Sequence, residues 1–239
     1  MSPHPLHTIL FLDIETVSQF PVFSDLSPEW QELWRHKADS LNRDKAPVTP
    51  EELYGRAAIY AEFGKIICIS CGVLSGPPAE RKLLLKSFYG HDEKDLLMRF
   101  YELVHKWASE GQKFLCAHNG KDFDFPYLCR RMIIHGMGLP SILNLAGKKP
   151  WEIPHLDTME LWKFGEYKSY VSLNLLAHTL GIPTPKDDID GSQVGDVYWV
   201  ERDLARIVNY CQKDVVTVAQ VYLRLHGERL IREENIEIR

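Results

Sequence analysis

No stretch of the 239-residue chain approaches the roughly 20 apolar residues that a bilayer-spanning helix requires. Residues 1–8 show neither the basic start nor the apolar segment of a secretory leader. A cytoplasmic protein that makes no membrane contact is therefore expected. Disulfides are not expected either, because the five cysteines (Cys68, Cys71, Cys116, Cys129 and Cys211) are odd in number and lie mostly in apolar runs. Positive charge is in short supply. Lys and Arg total 28 against 33 Asp and Glu, a net charge of −5, so no global field suits the chain to coating nucleic acid. Bound cations could still reverse the sign locally.

Two metal signatures are incomplete. Cys68-Ile69-Ser70-Cys71 has no second pair, as a structural zinc site would need. Asp187-Asp188-Ile189-Asp190-Gly191-Ser192 resembles a calcium loop, but Lys186 and Trp199 stand where oxygen ligands belong. Repeats, low-complexity tracts and linkers are absent. With ordinary globular composition, 45% hydrophobic and 26% charged, one domain spanning residues 1–239 is expected.

Apolar patterning supplies the elements. Residues 8–13 form a short, nearly continuous apolar run, the pattern of a buried central strand. Residues 17–63 turn polar and aromatic, punctuated by Pro21, Pro28, Pro47 and Pro50. Ser27-Pro28-Glu29 and Thr49-Pro50-Glu51-Glu52 each read as a helix start. This segment is expected to be a helical insertion that could cover a site. Strands follow at 65–74 and 82–88 across Ser75-Gly76-Pro77-Pro78, then a helix at 92–109 with apolar residues on one face. A strand at 113–117, a helix at 123–134, a strand at 152–156 and helices at 172–180 and 201–224 complete the chain. Hairpin strands followed by strands alternating with helices indicate an α/β fold, a mixed five-stranded sheet flanked by helices.

Acidic residues stand at the ends of these elements. Asp13 and Glu15, in Phe11-Leu12-Asp13-Ile14-Glu15-Thr16, are two apart on a strand and point the same way. On a buried strand they would repel each other unless a cation lay between them; in a solvated loop they would need none. Asp122-Phe123-Asp124 opens a helix after the turn His118-Asn119-Gly120. Asp122 fits a helix cap, and Asp124 fits either a cap or a ligand in the first turn. Tyr210 and Asp214 are four apart on a helix and share a face, an arrangement that a plain amphipathic helix also produces. His118 and His155 read as residues satisfying hydrogen bonds near strand ends, and Asp157-Thr158-Met159-Glu160 as a capping box.

The order Asp-x-Glu, Asn-x-x-x-Phe-Asp, Tyr-x-x-x-Asp resembles the three motifs of the DEDD exonuclease superfamily. Tyr210 marks the DEDDy branch, since the histidine-type enzymes carry histidine where this chain has Asn209. Asn119 to Tyr127, Tyr210-Cys211-Gln212-Lys213-Asp214 and Ser169-Tyr170-Val171-Ser172-Leu173-Asn174 look most like the proofreading domain of family B DNA polymerases. With no room for a polymerase domain, the chain is similar to the stand-alone, polymerase-B-like exonuclease family.

The resemblance implies a ribonuclease H-like fold and a magnesium- or manganese-dependent 3′–5′ exonuclease working by a two-metal mechanism. It implies that Asp13, Glu15 and Asp214 hold one ion. Asp13 is then shared with a second ion, which Asp124 reaches through water, and Tyr210 orients the attacking water or helps take its proton. It places the 3′ nucleotide against the Thr16 backbone and the side chains of Asn119 and Phe123. The expected partner is the 3′ end of single-stranded nucleic acid, DNA before RNA. Phe20, Phe23, Trp199, Lys121 and Lys168 are further candidates for contacts to the strand. An RNA-trimming, oligoribonuclease-like enzyme is one alternative. A nucleic-acid-binding protein with a retired active site is another, against which the survival of all five site residues argues.

Overall fold

The computed structural model describes residues 2–42, 48–167, 170–183 and 189–239. Its centre is a six-stranded mixed sheet in the order β5-β4-β1-β2-β3-β6. Strand β1 (Ile9–Ser18) pairs antiparallel with β2 (Gly64–Ser75), which forms a hairpin with β3 (Lys82–Tyr89). On its other side β1 runs parallel to β4 (Phe114–Ala117), and β4 runs parallel to β5 (Leu156–Asp157). The sixth strand, β6 (Ile236–Ile238), lies parallel to β3 and corrects the expected count of five. Three residues reading Ile-Glu-Ile are too few to show a period in sequence, and the pairing comes from the edge that β3 offers. The fifth strand is only two residues long, and Glu152, the first residue of the strand expected at 152–156, instead closes a 3₁₀ turn over Pro150–Glu152.

Alternation along β1 divides the core in two. Leu10, Leu12 and Ile14 pack against α3 (Glu93–Ala108) and α4 (Asp124–Ile134) through residues such as Phe100, Val104, Phe125 and Leu128. Ile9 and Phe11 face the opposite way, against Val215, Val218, Ala219 and Tyr222 of α8 (Leu204–Leu225). Those four helical residues recur at spacings of three and four, the stripe a helix needs to cover a sheet.

The segment expected as an insertion contributes its first two residues to β1. Helix α1 (Pro28–Leu41) is capped by Ser27, and α2 (Pro50–Leu53) opens with a capping box between Thr49 and Glu52. A 3₁₀ helix, Tyr54–Ile59, follows. Trp34, fully buried, centres a separate small core with Phe23, Leu26 and Tyr54, and its indole N–H donates to Pro50 O at 2.8 Å. Phe23 is thus packing and not a strand contact. Pro47 lies outside the described residues.

Between β5 and α8 lie three short helices among the described residues, α5 (Thr158–Lys163), α6 (Leu173–Thr179) and α7 (Val194–Asp196), the last continuing as a π-type turn over Val197–Glu201. Lys168, Ser169, Lys186, Asp187 and Asp188 lie outside the described residues. Among the described residues, no helix is long and apolar enough to cross a membrane.

Candidate active site

Strands β1, β4 and β5 are parallel, so their carboxyl ends open at one edge, where an α/β sheet characteristically binds ligands. Asp13 and Glu15 sit there on the face that packs against α8. Directly opposite them on β2 are Ser70 and Cys68. The pairing register shifts between Glu15 and Thr16. Such an irregularity re-aims the following residues, and the Thr16 hydroxyl donates to Ala58 O at 2.9 Å.

Helix α8 brings its first turns over the two acids. Tyr210, Cys211 and Asp214 lie on that side of the helix, and the Cys211 thiol donates to Asp13 O at 3.5 Å. One ligand atom each from Asp13, Glu15 and Cys211 all lie within 4.8 Å of one another. Gln212 donates to Ser87 Oγ at 2.9 Å, which bonds Ser70 Oγ at 2.9 Å, so a polar chain links α8 to β3 and β2 beside the acids.

Asp124 arrives from the other layer. Pairing between β1 and β4 ends at Phe11 and Cys116, which frees the edge of β1 beyond that point. Asp124 is the first residue of α4, and only 4% of its surface is exposed. The expected cap at Asp122 is not made. The N-cap residue is Phe123, no side chain caps the helix, and Asp122 is exposed. A backbone turn takes its place, with the amides of Asp122 and Phe123 donating to Asn119 O.

The four carboxylates act on one another. Burial pushes the Asp13 carboxyl far above the usual range, and the charges of Glu15, Asp214 and Asp124 push the same way. Glu15 is raised by burial and by Asp214, Cys68 and Asp124. Asp124 is raised by burial to about 7, held back by its own N–H and that of Ile14. Asp13 Oδ2 is buried without a hydrogen-bond partner. Tyr210, half-buried, has its phenol pushed upward by burial and then by Asp214, Glu15 and Asp13. Burial likewise raises Cys211 far above an ordinary thiol. So the sulfur stays protonated, and the available donors are carboxylate oxygens.

Two of the residues expected to meet the nucleotide, Asn119 and Phe123, lie in the turn that leads into Asp124. Asn119 is half-buried with φ 61°, a left-handed conformation that asparagine tolerates better than most residues. Phe123 is half-buried, its ring 5.3 Å from that of Tyr127, whose hydroxyl donates to Ala58 O at 2.8 Å. Two other strand candidates have structural partners: Trp199 packs with Tyr198 and Ile207, and Lys121 pairs with Glu160 at 2.7 Å. Phe20 remains exposed.

Asp157 does more than the helix cap read from sequence. Oδ1 accepts the amides of Met159 (2.9 Å) and Glu160 (3.3 Å), and also that of Asn119 (2.9 Å); Oδ2 accepts the Lys121 amide at 3.1 Å. One carboxylate therefore fixes the turn that leads to Asp124. The local sequence signals the cap but not the two long-range amides. Glu160, expected to complete a capping box, pairs with Lys121 instead. His118 donates through Nε2 to Val171 O at 2.8 Å, and burial lowers its pKa. His155 accepts from the Leu115 amide and donates to Ile142 O, with burial lowering its pKa to about 4. Both are the satisfied strand-end histidines expected. Cys68 and Cys71, three apart on a strand, enter different cores on opposite faces and cannot share a metal.

Residues 59–234 match the family described as a predicted 3′–5′ exonuclease related to the exonuclease domain of PolB. The chain belongs to this family. The matched region contains Asn119, Asp124, Tyr210 and Asp214 and begins after Asp13 and Glu15, which geometry brings to the others. Among solved structures, the family B DNA polymerase of the hyperthermophilic archaeon Pyrobaculum calidifontis superposes with a TM-score of 0.51 at 15% identity. The match covers 95% of this chain and 26% of that one. At that identity the likeness establishes the fold alone, the ribonuclease H-like α/β architecture. No curated protein matches the sequence.

Proposed function

We propose that the protein is a metal-dependent 3′–5′ exonuclease that removes nucleotides from the 3′ end of single-stranded nucleic acid, with DNA preferred. One observation supports this most. Buried carboxylates converge, raise one another's pKa values and leave Asp13 Oδ2 unpartnered. Bound cations would relieve that repulsion while leaving the carboxylates ionised.

The donor set fits Mg²⁺ or Mn²⁺, because hard ions take carboxylate and water oxygens and a protonated thiol offers them little. Asp13, Glu15, Asp124 and Asp214 would hold the ions. Such a pair, when bound, acidifies water and stabilises the attacking and leaving oxygens of an in-line displacement. Tyr210 keeps its proton at neutral pH, so it serves as a hydrogen-bond donor that orients the incoming water and not as a base. Asn119 and Phe123 would position the terminal nucleotide, and the Thr16 backbone would border it. The family's relation to a DNA polymerase domain favours DNA over RNA.

A 5′-labelled oligonucleotide incubated with Mn²⁺ should shorten stepwise from its 3′ end. Asp13→Ala and Asp214→Ala should each abolish this shortening. Shortening that persists in both variants would refute the assignment.

A further inference from the structure

Between β5 and α6 the chain displays three aromatic rings that no core accounts for. Phe164 is 85% exposed, Tyr167 88% and Tyr170 74%. Their flanks are anchored: Trp162 and Val171 both pack against a core containing Leu176, Ile182 and Val221. Phe164 thus follows closely on one anchored residue, and Tyr170 directly precedes the other. Phe164 has φ 44°, followed by Gly165 at φ 88°. A side chain held in the left-handed region costs of order 1 kcal/mol or more, and no burial of the Phe164 ring offsets it.

The last of the three rings directly precedes a residue joined to the candidate active site. Val171, the residue after Tyr170, accepts a hydrogen bond from His118, which directly precedes Asn119. Positive charge is on hand, since Lys163 Nζ lies 4.8 Å from the centroid of the Tyr170 ring. No aliphatic residue occurs between positions 163 and 170. Rings spaced three residues apart beside a lysine suit stacked bases and a phosphate, the recurring means of holding single strands without reading sequence.

We infer that Phe164, Tyr167 and Tyr170 form a stacking platform for nucleotides upstream of the 3′ end, so that the substrate is a single strand several nucleotides long. This rests on the exonuclease reading, and the test keeps the two separable. Wild type and the triple variant Phe164→Ala/Tyr167→Ala/Tyr170→Ala are compared in Mn²⁺ on 5′-labelled dT12 and dT3. Binding of fluorescein-dT12 is measured separately by anisotropy in EDTA. With each base–aromatic stack worth about 1–3 kcal/mol, loss of the platform should raise KM for dT12 and the anisotropy Kd by about tenfold or more. The kcat on dT12 and the rate on dT3 should stay within about twofold, because the altered rings lie outside the chemistry.

Should neither oligomer be cut by wild type, the nuclease reading fails, while a tenfold difference in anisotropy would still support the platform. Equal KM and equal Kd in the two proteins would overturn it. So would equal losses on dT3 and dT12 in a variant whose melting temperature is unchanged, because the rings would then act at the reacting end.

Discussion

Asp13 illustrates how much one side chain's surroundings decide. Its oxygen Oδ2 is sealed from solvent without a partner while three further carboxylates press on it. The charged form is therefore disfavoured until a cation arrives, and this gives a pH dependence with a definite sign. Asp124 rises from an ordinary value near 3.9 to about 7 on folding. The folded, metal-free protein thus binds more protons than the unfolded chain between those limits, and its stability falls as pH rises through that window. The contribution is complete below about pH 4 and is lost by about pH 7, up to roughly 4 kcal/mol. Melting in EDTA should accordingly give a lower Tm at pH 7.5 than at pH 5, and Mn²⁺ should reverse the loss at pH 7.5. A metal-free Tm that climbs between pH 5 and 7.5 would run against this.

Tyr210 carries a second expectation at this scale. Because its phenol keeps its proton, Tyr210→Phe removes a hydrogen-bond donor, which also reaches Asp214, and no metal ligand. The rate should drop by about tenfold or more, short of the roughly 10²–10⁴ range of full acid–base catalysis. Manganese affinity measured by calorimetry should be unchanged in this variant. Sequence reading was most informative for residues of this kind, where spacing alone puts two oxygens on one face: Asp13 with Glu15, and Tyr210 with Asp214. It left Asp124 open, since an aspartate in a first helical turn satisfies caps and ligands alike. It undervalued Asp157, because amides 36 and 38 residues away leave no local trace.

At the scale of elements, the site depends on where strands stop and how closely neighbours approach. Strand β4 ends early, which opens the edge of β1 to α4. Gly64, paired with Ser18 where β2 begins, lets the chain pass close to Tyr127 and Ala58. A Cβ there would lie 2.3 Å from Tyr127 Oη and 2.8 Å from Ala58 O. Ala58 O also receives the Thr16 hydroxyl, so the intrusion would disturb the segment bordering the proposed nucleotide site. Gly64→Ala should cost about 1–3 kcal/mol by urea unfolding, the usual penalty for overpacking, and should raise KM more than it lowers kcat. An unchanged unfolding midpoint would show that the contact relaxes freely. Long periodic helices such as α3 and α8 were readable within a residue or so at most ends. The three-residue β6, the two-residue β5 and the π-type turn before α8 were not, because each forms only where a neighbouring element offers a partner.

Across the whole molecule, the site draws on both layers of the sandwich. Strand β1 supplies two acids from the middle of the sheet, α4 a third from one side and α8 a fourth from the other. No one of these elements could gather the carboxylates alone, and the β1–α8 and β1–α4 cores are what hold them at close range. The mixed sheet and its flanking helices followed from hydrophobic patterning. The closeness of acids some two hundred residues apart followed only from motif resemblance and, independently, from packing.

Manganese titration by calorimetry at pH 7.5 tests that convergence most directly. The wild-type protein should take up Mn²⁺ with a stoichiometry of two, and Asp13→Asn, which alters the carboxylate that the other three press on, should weaken that uptake. No measurable uptake by the folded wild type, or uptake unchanged in Asp13→Asn, would contradict a cation site built from these four carboxylates.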